Sequence, residues 1–199
     1  FELMERVITR RPYDKTAFLS DFSRDIGIAI GVQPERACVI NPGVSLEHYA
    51  PAAEKQDVAL FVGKFESRKG VEDVLALAEA EPDMPIRMLG WGPEESAIRN
   101  RRLNNIELIP FQQGAALWDA FADARLFLFP SRAETFGLVL VEAMASGCAV
   151  VSSVPLDYAG RFVEPGDQQG FIKAAGELWR DKALMATMGA QNIERARYY

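Results

Sequence analysis

The stretch Glu134-Thr-Phe-Gly-Leu-Val-Leu-Val-Glu142 follows the turn Pro130-Ser-Arg and runs into Ala143-Met-Ala-Ser-Gly147. An apolar run of this length that holds one acid and closes on a glycine predicts a buried helix over 135–146, with Gly147 as its stop. Leu138 to Val141 and Ala143 to Ala145 leave no polar face beside Glu142, so its carboxylate calls for a ligand or a specific donor rather than solvent. Eight residues of helix rise roughly 12 Å. Glu134, just ahead of the helix, and Glu142, two turns down it, then stand about a nucleotide diphosphate apart. The helix start between them offers unpaired N–H groups and a partial positive charge, while the two acids can accept from sugar hydroxyls at one end and ribose hydroxyls at the other. A nucleotide sugar fits that description.

A second motif supplies cations. Val58-Ala-Leu-Phe-Val-Gly63 is a continuous apolar run, as expected of a parallel strand covered on both faces. It leads into Lys64-Phe-Glu-Ser-Arg-Lys69-Gly70 and then a helical segment, Val71 to Ala80. That loop leaves the carboxyl end of a strand, where open α/β sheets place their ligands.

Together these two motifs resemble those of retaining glycosyltransferases of the GT-B fold, family 4 in particular. The first resembles that group's pair of glutamates seven residues apart, the second its Gly-Arg/Lys and Arg-Lys-Gly elements. Other segments resemble the family in the same order from Phe18 onward: Phe18-Leu-Ser-Asp-Phe-Ser23, Cys38-Val-Ile-Asn-Pro-Gly43-Val44, Leu89-Gly-Trp-Gly-Pro93, Ala122-Asp-Ala-Arg-Leu-Phe-Leu-Phe-Pro130 and Val163-Glu-Pro-Gly-Asp167. Two departures stand out. Lys64 occupies a position where the family more often has arginine, which keeps the charge but loses the bidentate fork. After Val150-Val-Ser-Ser153, only Val154 to Glu164 precede the Pro-Gly-Asp element, where the family has a longer glycine-rich connection.

The resemblance implies transfer of a hexosyl group from a UDP-, GDP- or ADP-sugar with retention at the anomeric carbon, in polysaccharide or glycolipid biosynthesis. Lys64 and Lys69 would stabilise charge on the leaving diphosphate without a metal, and Glu134 would hold sugar hydroxyls. Gly63 and the backbone N–H groups of Phe136, Gly137 and Leu138 would line the donor site, Glu142 would take the ribose, and the base would rest near Ile109 to Phe111. The chain would be the donor-binding half, inactive alone, with the acceptor bound by a missing N-terminal domain. Two alternatives stay open: a nucleotide-sugar-binding module that no longer transfers, or another GT-B enzyme such as a nucleotide-sugar epimerase or a phosphorylase.

Composition agrees with one main domain. The chain has 199 residues, 49% of them hydrophobic, enough for one sizeable core. Its net charge of −6 argues against a nucleic-acid partner. Cys38 and Cys148 lie in apolar runs and read as free thiols in a reducing, cytoplasmic compartment. A single histidine and the absence of Cys-x-x-Cys give no metal signature. No apolar run is long enough to span a bilayer, although the resemblance allows peripheral membrane association of an intact enzyme.

Short apolar strands alternate with helices, the pattern of a doubly wound parallel, Rossmann-like α/β sheet. Strands are predicted at 37–40, 58–62, 86–89, 106–109, 126–129 and 149–152. Helices are predicted at 21–31, 71–80, 94–102, 115–122, 135–146, 168–180 and 182–196. Residues 1–44 read as an N-terminal or crossover segment, 45–56 as a linker and 57–199 as the donor domain. Gly90-Trp-Gly92-Pro93-Glu94 lacks the third glycine of a dinucleotide fingerprint and opens the next helix with acids, so NAD is not expected. His48, Trp91 and Trp118 read as structural.

Overall fold

A computed structural model describes residues 14–199 and divides the chain into two compact units, Phe1–Gly43 and Val44–Tyr199. Of the expected N-terminal segment 1–44, residues 1–13 lie outside the described residues. In the first unit β1 (Thr16–Phe18), α1 (Asp21–Ala29) and β2 (Ala37–Val39) form a βαβ turn whose strands pair in parallel, Thr16 opposite Ala37 and Phe18 opposite Val39. Ser20 starts α1 through a reciprocal capping box: its Oγ accepts from the Ser23 N–H, and its own N–H donates to the Ser23 Oγ, each at 3.1 Å.

The second unit carries a six-stranded parallel sheet in the order β5-β4-β3-β6-β7-β8. The strands are β3 (Gln56–Lys64), β4 (Ile86–Trp91), β5 (Ile106–Pro110), β6 (Ala124–Phe129), β7 (Ala149–Ser152) and β8 (Gly160–Phe162). The helices are α2 (Val71–Ala80), α3 (Glu95–Arg101), α4 (Ala115–Asp123), α5 (Leu138–Ala145), α6 (Gln168–Arg180) and α7 (Lys182–Ala196). This is the doubly wound α/β fold expected from the sequence.

Strand pleating sorts the apolar residues to the two faces of the sheet. Ala59, Phe61, Leu126, Leu128 and Val151 pack against Val74 and Leu77 of α2 and Phe171 and Leu178 of α6. Val58, Leu60, Val62, Phe127, Phe129 and Val150 pack against Phe121 of α4 and Leu140, Val141 and Met144 of α5. Because both faces are covered, β3 reads as an unbroken apolar run rather than an alternating one. Each fully buried large side chain in these layers contributes about 1.5–3 kcal/mol.

Most predicted elements agree with the observed bounds to within a few residues, and three differences matter. Strands β1 and β8, three residues each, carry too little periodicity to be seen in the sequence. The predicted helix 135–146 begins only at Leu138, because Gly137 at its N-cap takes φ +90, a left-handed conformation that ends the preceding loop. Residues 45–56, expected as a linker, lie within the second unit: the Ala52 N–H donates to the Ala122 carbonyl at 3.2 Å, and the Lys55 ammonium donates to the carbonyls of Ala122 and Ala124 at 2.9 and 2.7 Å. Residues 153–159 suffice to return the chain from β7 to a parallel β8 because both strands are short, with Val150 opposite Gly160 and Ser152 opposite Phe162.

Candidate functional site

The strand order reverses between β3 and β6, so the loops leaving these neighbours diverge and open a crevice at the carboxyl edge of the sheet. The loop after β3 is 65–70, the one after β6 is 130–137, and the two are locked together. The Arg132 N–H donates to the Arg68 carbonyl at 2.8 Å. Gly70 takes φ +71, and a Cβ there would stand 2.2 Å from the Pro130 carbonyl oxygen. Only glycine permits this approach.

Across that junction the Lys69 ammonium donates to the Glu134 Oε2, with the side chains only 15% and 16% exposed. The structure thus brings together the cation and the acid that the sequence assigned to diphosphate and sugar. An ion pair with a buried acid stands behind them. Asp73, in the first turn of α2 and 2% exposed, accepts from the Arg132 guanidinium at 3.1 and 3.2 Å and from the Gln168 amide at 3.3 Å. Burial pushes the Asp73 carboxyl above its ordinary value, and Arg132 opposes that rise. Nothing in the sequence pairs these positions, because the residues are distant in the chain and the contact exists only once the sheet is assembled.

Gly137 offers no capping side chain to α5, and the first turn of that helix holds no acid, so its positive end faces the crevice uncompensated. The Phe136 side chain is buried edge-on against Tyr199 at 5.7 Å, which leaves only its backbone for a ligand. Leu138 is exposed.

Glu142 is the fifth residue of α5, about 6 Å along it. The expected two helical turns between the acids are therefore one turn plus the loop 134–137, a consequence of the late helix start. Half-buried Glu142 has the specific donor that its apolar surroundings call for: the Tyr49 hydroxyl, 2.8 Å from Oε1. Burial raises the Glu142 carboxyl above its ordinary value, and the hydrogen bond from Tyr49 partly offsets that.

The remaining candidates lie apart from this cluster. The Lys64 ammonium is exposed, 3.2 Å from Glu66 and 5.4 Å from the centre of the Trp91 ring, so its partners are not Glu134. Gly63 opens the way to it at the end of β3. Ile109 is half-buried against the core, whereas Phe111, just past β5, is 54% exposed. Trp91, read as a packing residue, is also 54% exposed, at the last position of β4. His48 and Trp118 stack at 4.2 Å, consistent with structural roles.

Comparison with known proteins agrees with this architecture. The family described as "Glycosyl transferases group 1" matches residues 48–194. A D-inositol 3-phosphate glycosyltransferase from Kribbella flavida is 29% identical over 83% of this chain and 48% of its own length. A sulfoquinovosyl transferase from Arabidopsis thaliana is 25% identical over 80% of this chain and 36% of its own. The chain thus spans about half or less of the length of these relatives. Among solved structures, sucrose-phosphate synthase from Thermosynechococcus elongatus superposes with a TM-score of 0.84 at 22% identity, covering 99% of this chain and 56% of that one. Anabaena HepE in complex with UDP and glucose gives a TM-score of 0.82 at 21% identity, covering 99% and 62%. At these identities the two structures speak for the fold.

Proposed function

This chain belongs to the group 1 glycosyl transferases, and we propose that it forms the donor-binding half of a GT-B, family 4 type enzyme that transfers a hexosyl group from a nucleotide-diphosphate sugar with retention. The single observation that supports this best is the meeting of Lys69 and Glu134 at the β3/β6 switch point, beside the uncapped start of α5. In this reading a diphosphate lies against the α5 N-terminus and takes Lys69 as counter-charge, releasing Glu134 to accept from sugar hydroxyls. Lys69 then meets negative charge that grows on the leaving diphosphate, a role that needs no metal. Lys64, free to swing from Glu66, adds a second cation. Glu142 accepts from the ribose, and the exposed ring of Phe111 offers the base a surface. Acceptor, water exclusion and any membrane contact belong to segments beyond this unit. Among the described residues no helix is long and apolar enough to cross a membrane.

The test is to assay the full-length protein with UDP-, GDP- and ADP-sugars and to determine the anomeric configuration of the product. Transfer with retention is expected from the full-length protein, and no transfer from these 199 residues alone. An inverted product contradicts the mechanism, whereas nucleotide binding without transfer by the full-length protein favours a binding module instead.

A further inference from the structure

We propose that Tyr49 is a positioning residue for Glu142: its phenol fixes one carboxylate oxygen so that the other faces the ribose hydroxyls of a bound nucleotide. This rests on the donor-site reading above. Tyr49 follows the single helical turn Leu46–His48, and its ring is held from the α4 side. Phe121 meets it edge-on, with centroids 5.9 Å apart and planes at 74°. Trp118, on the same helix as Phe121, stacks face to face with His48 at 4.2 Å. Trp118 and Phe121 are three residues apart on α4 and so share one face.

This aromatic cluster leaves the phenol little freedom, and its hydroxyl donates to Glu142 Oε1 at 2.8 Å. Among the described residues Oε2 accepts no hydrogen bond, so one oxygen is tied and the other is open. A phenylalanine would fill the same space against Phe121; the hydroxyl serves the carboxylate alone. Without it, a half-buried Glu142 would have apolar neighbours and a free rotor, and burial already disfavours its charged form. The phenol therefore favours the ionised form of the acid and aims it, and a ribose diol, whose hydroxyls donate, meets an oriented acceptor.

The test is calorimetry on the 199-residue chain with UDP, GDP and ADP, followed by the 2′-deoxy counterpart of whichever binds tightest. Wild type, Tyr49→Phe and Glu142→Gln are compared, with thermal melting as a check on folding. Tyr49→Phe is expected to melt close to wild type and to weaken the ribonucleotide about threefold to tenfold, the value of one hydrogen bond, while changing the deoxynucleotide much less. Glu142→Gln should show the same selectivity. Unchanged ribonucleotide affinity in Tyr49→Phe, or an equal loss for both sugars, overturns the positioning role and leaves the donor site standing. If wild type binds none of the three nucleotides, the donor-site reading falls and this role with it.

Discussion

Lys69 and Glu134, 65 residues apart in the chain, are ion-paired across the junction of the two loops that leave β3 and β6. The cation proposed to meet a diphosphate is thus paired with the acid proposed to hold a sugar. Glu134→Gln should uncouple the two roles. Affinity of the isolated chain for a nucleoside diphosphate should rise by about 1 kcal/mol as Lys69 is released, while turnover of the nucleotide sugar by the full-length enzyme falls. Calorimetry and a transfer assay read the two arms. A parallel loss in both would mean that Glu134 holds Lys69 in place rather than competing for it.

In the proposed mechanism, removal of Lys69 acts on the transition state. Lys69→Ala in the full-length enzyme should raise the barrier by about 2–4 kcal/mol, with kcat falling more than substrate affinity. Lys64, exposed and held by Glu66, should matter less. Lys64→Arg should be tolerated, and Lys64→Ala should lose activity in the same direction by a smaller factor. Steady-state kinetics on the three variants distinguish these outcomes. Near-normal turnover by Lys69→Ala contradicts the assignment.

The Asp73–Arg132 pair supports both loops and gives a prediction for stability. Arg132→Ala leaves a buried carboxylate without its guanidinium and should cost about 1–3 kcal/mol, read by thermal or chemical denaturation. The pH dependence has a definite sign. The folded-state Asp73 carboxyl lies above its ordinary value, so the folded chain binds that proton more tightly than the unfolded one. Its contribution to stability therefore falls as pH rises from the ordinary carboxylate range through the raised folded value. Asp73→Asn lacks this titration, so the stability of the variant relative to wild type should increase across that window and level off above it. A difference that is flat or reversed in sign contradicts the electrostatic account.

Gly70 sets the spacing between the loops. Gly70→Ala places a Cβ against the Pro130 carbonyl oxygen in a backbone conformation with φ +71, and it should destabilise the domain by about 1–3 kcal/mol from the backbone alone. It should also displace Lys69 from Glu134. Melting temperature and nucleotide affinity should fall together, and an alanine variant that matches wild type in both would show that the loops are not packed as described.

Sheet, helices and the two loops were legible because each rests on local signals: the apolar runs of β3 and β6, the glycine stop at Gly147, and the lysine-bearing loop at a strand end. Lys69 and Glu134 could be named as candidates from their loops alone. The support behind them could not. Tyr49 reads as one more apolar residue within a supposed linker, and Asp73 as an ordinary acid in the first turn of a helix. Their contacts to Glu142 and Arg132 span 93 and 59 residues and arise from strand order, which no local pattern encodes. The start of α5 was misplaced for a related reason. Phe136 and Gly137 continue an apolar run, but Phe136 is drawn into the core beside Tyr199, and Gly137 turns the chain before the helix begins.

Amide chemical-shift mapping of the 199-residue chain titrated with UDP, GDP and ADP locates the nucleotide site directly. A diphosphate site at the β3/β6 crevice should give saturable shifts with at least one of them, concentrated in 63–70 and 134–142 and weakened by Lys69→Ala. Shifts centred elsewhere, for example around Arg161 to Glu177 at the β8 edge, or no shift with any of the three, would contradict a diphosphate site at the β3/β6 crevice.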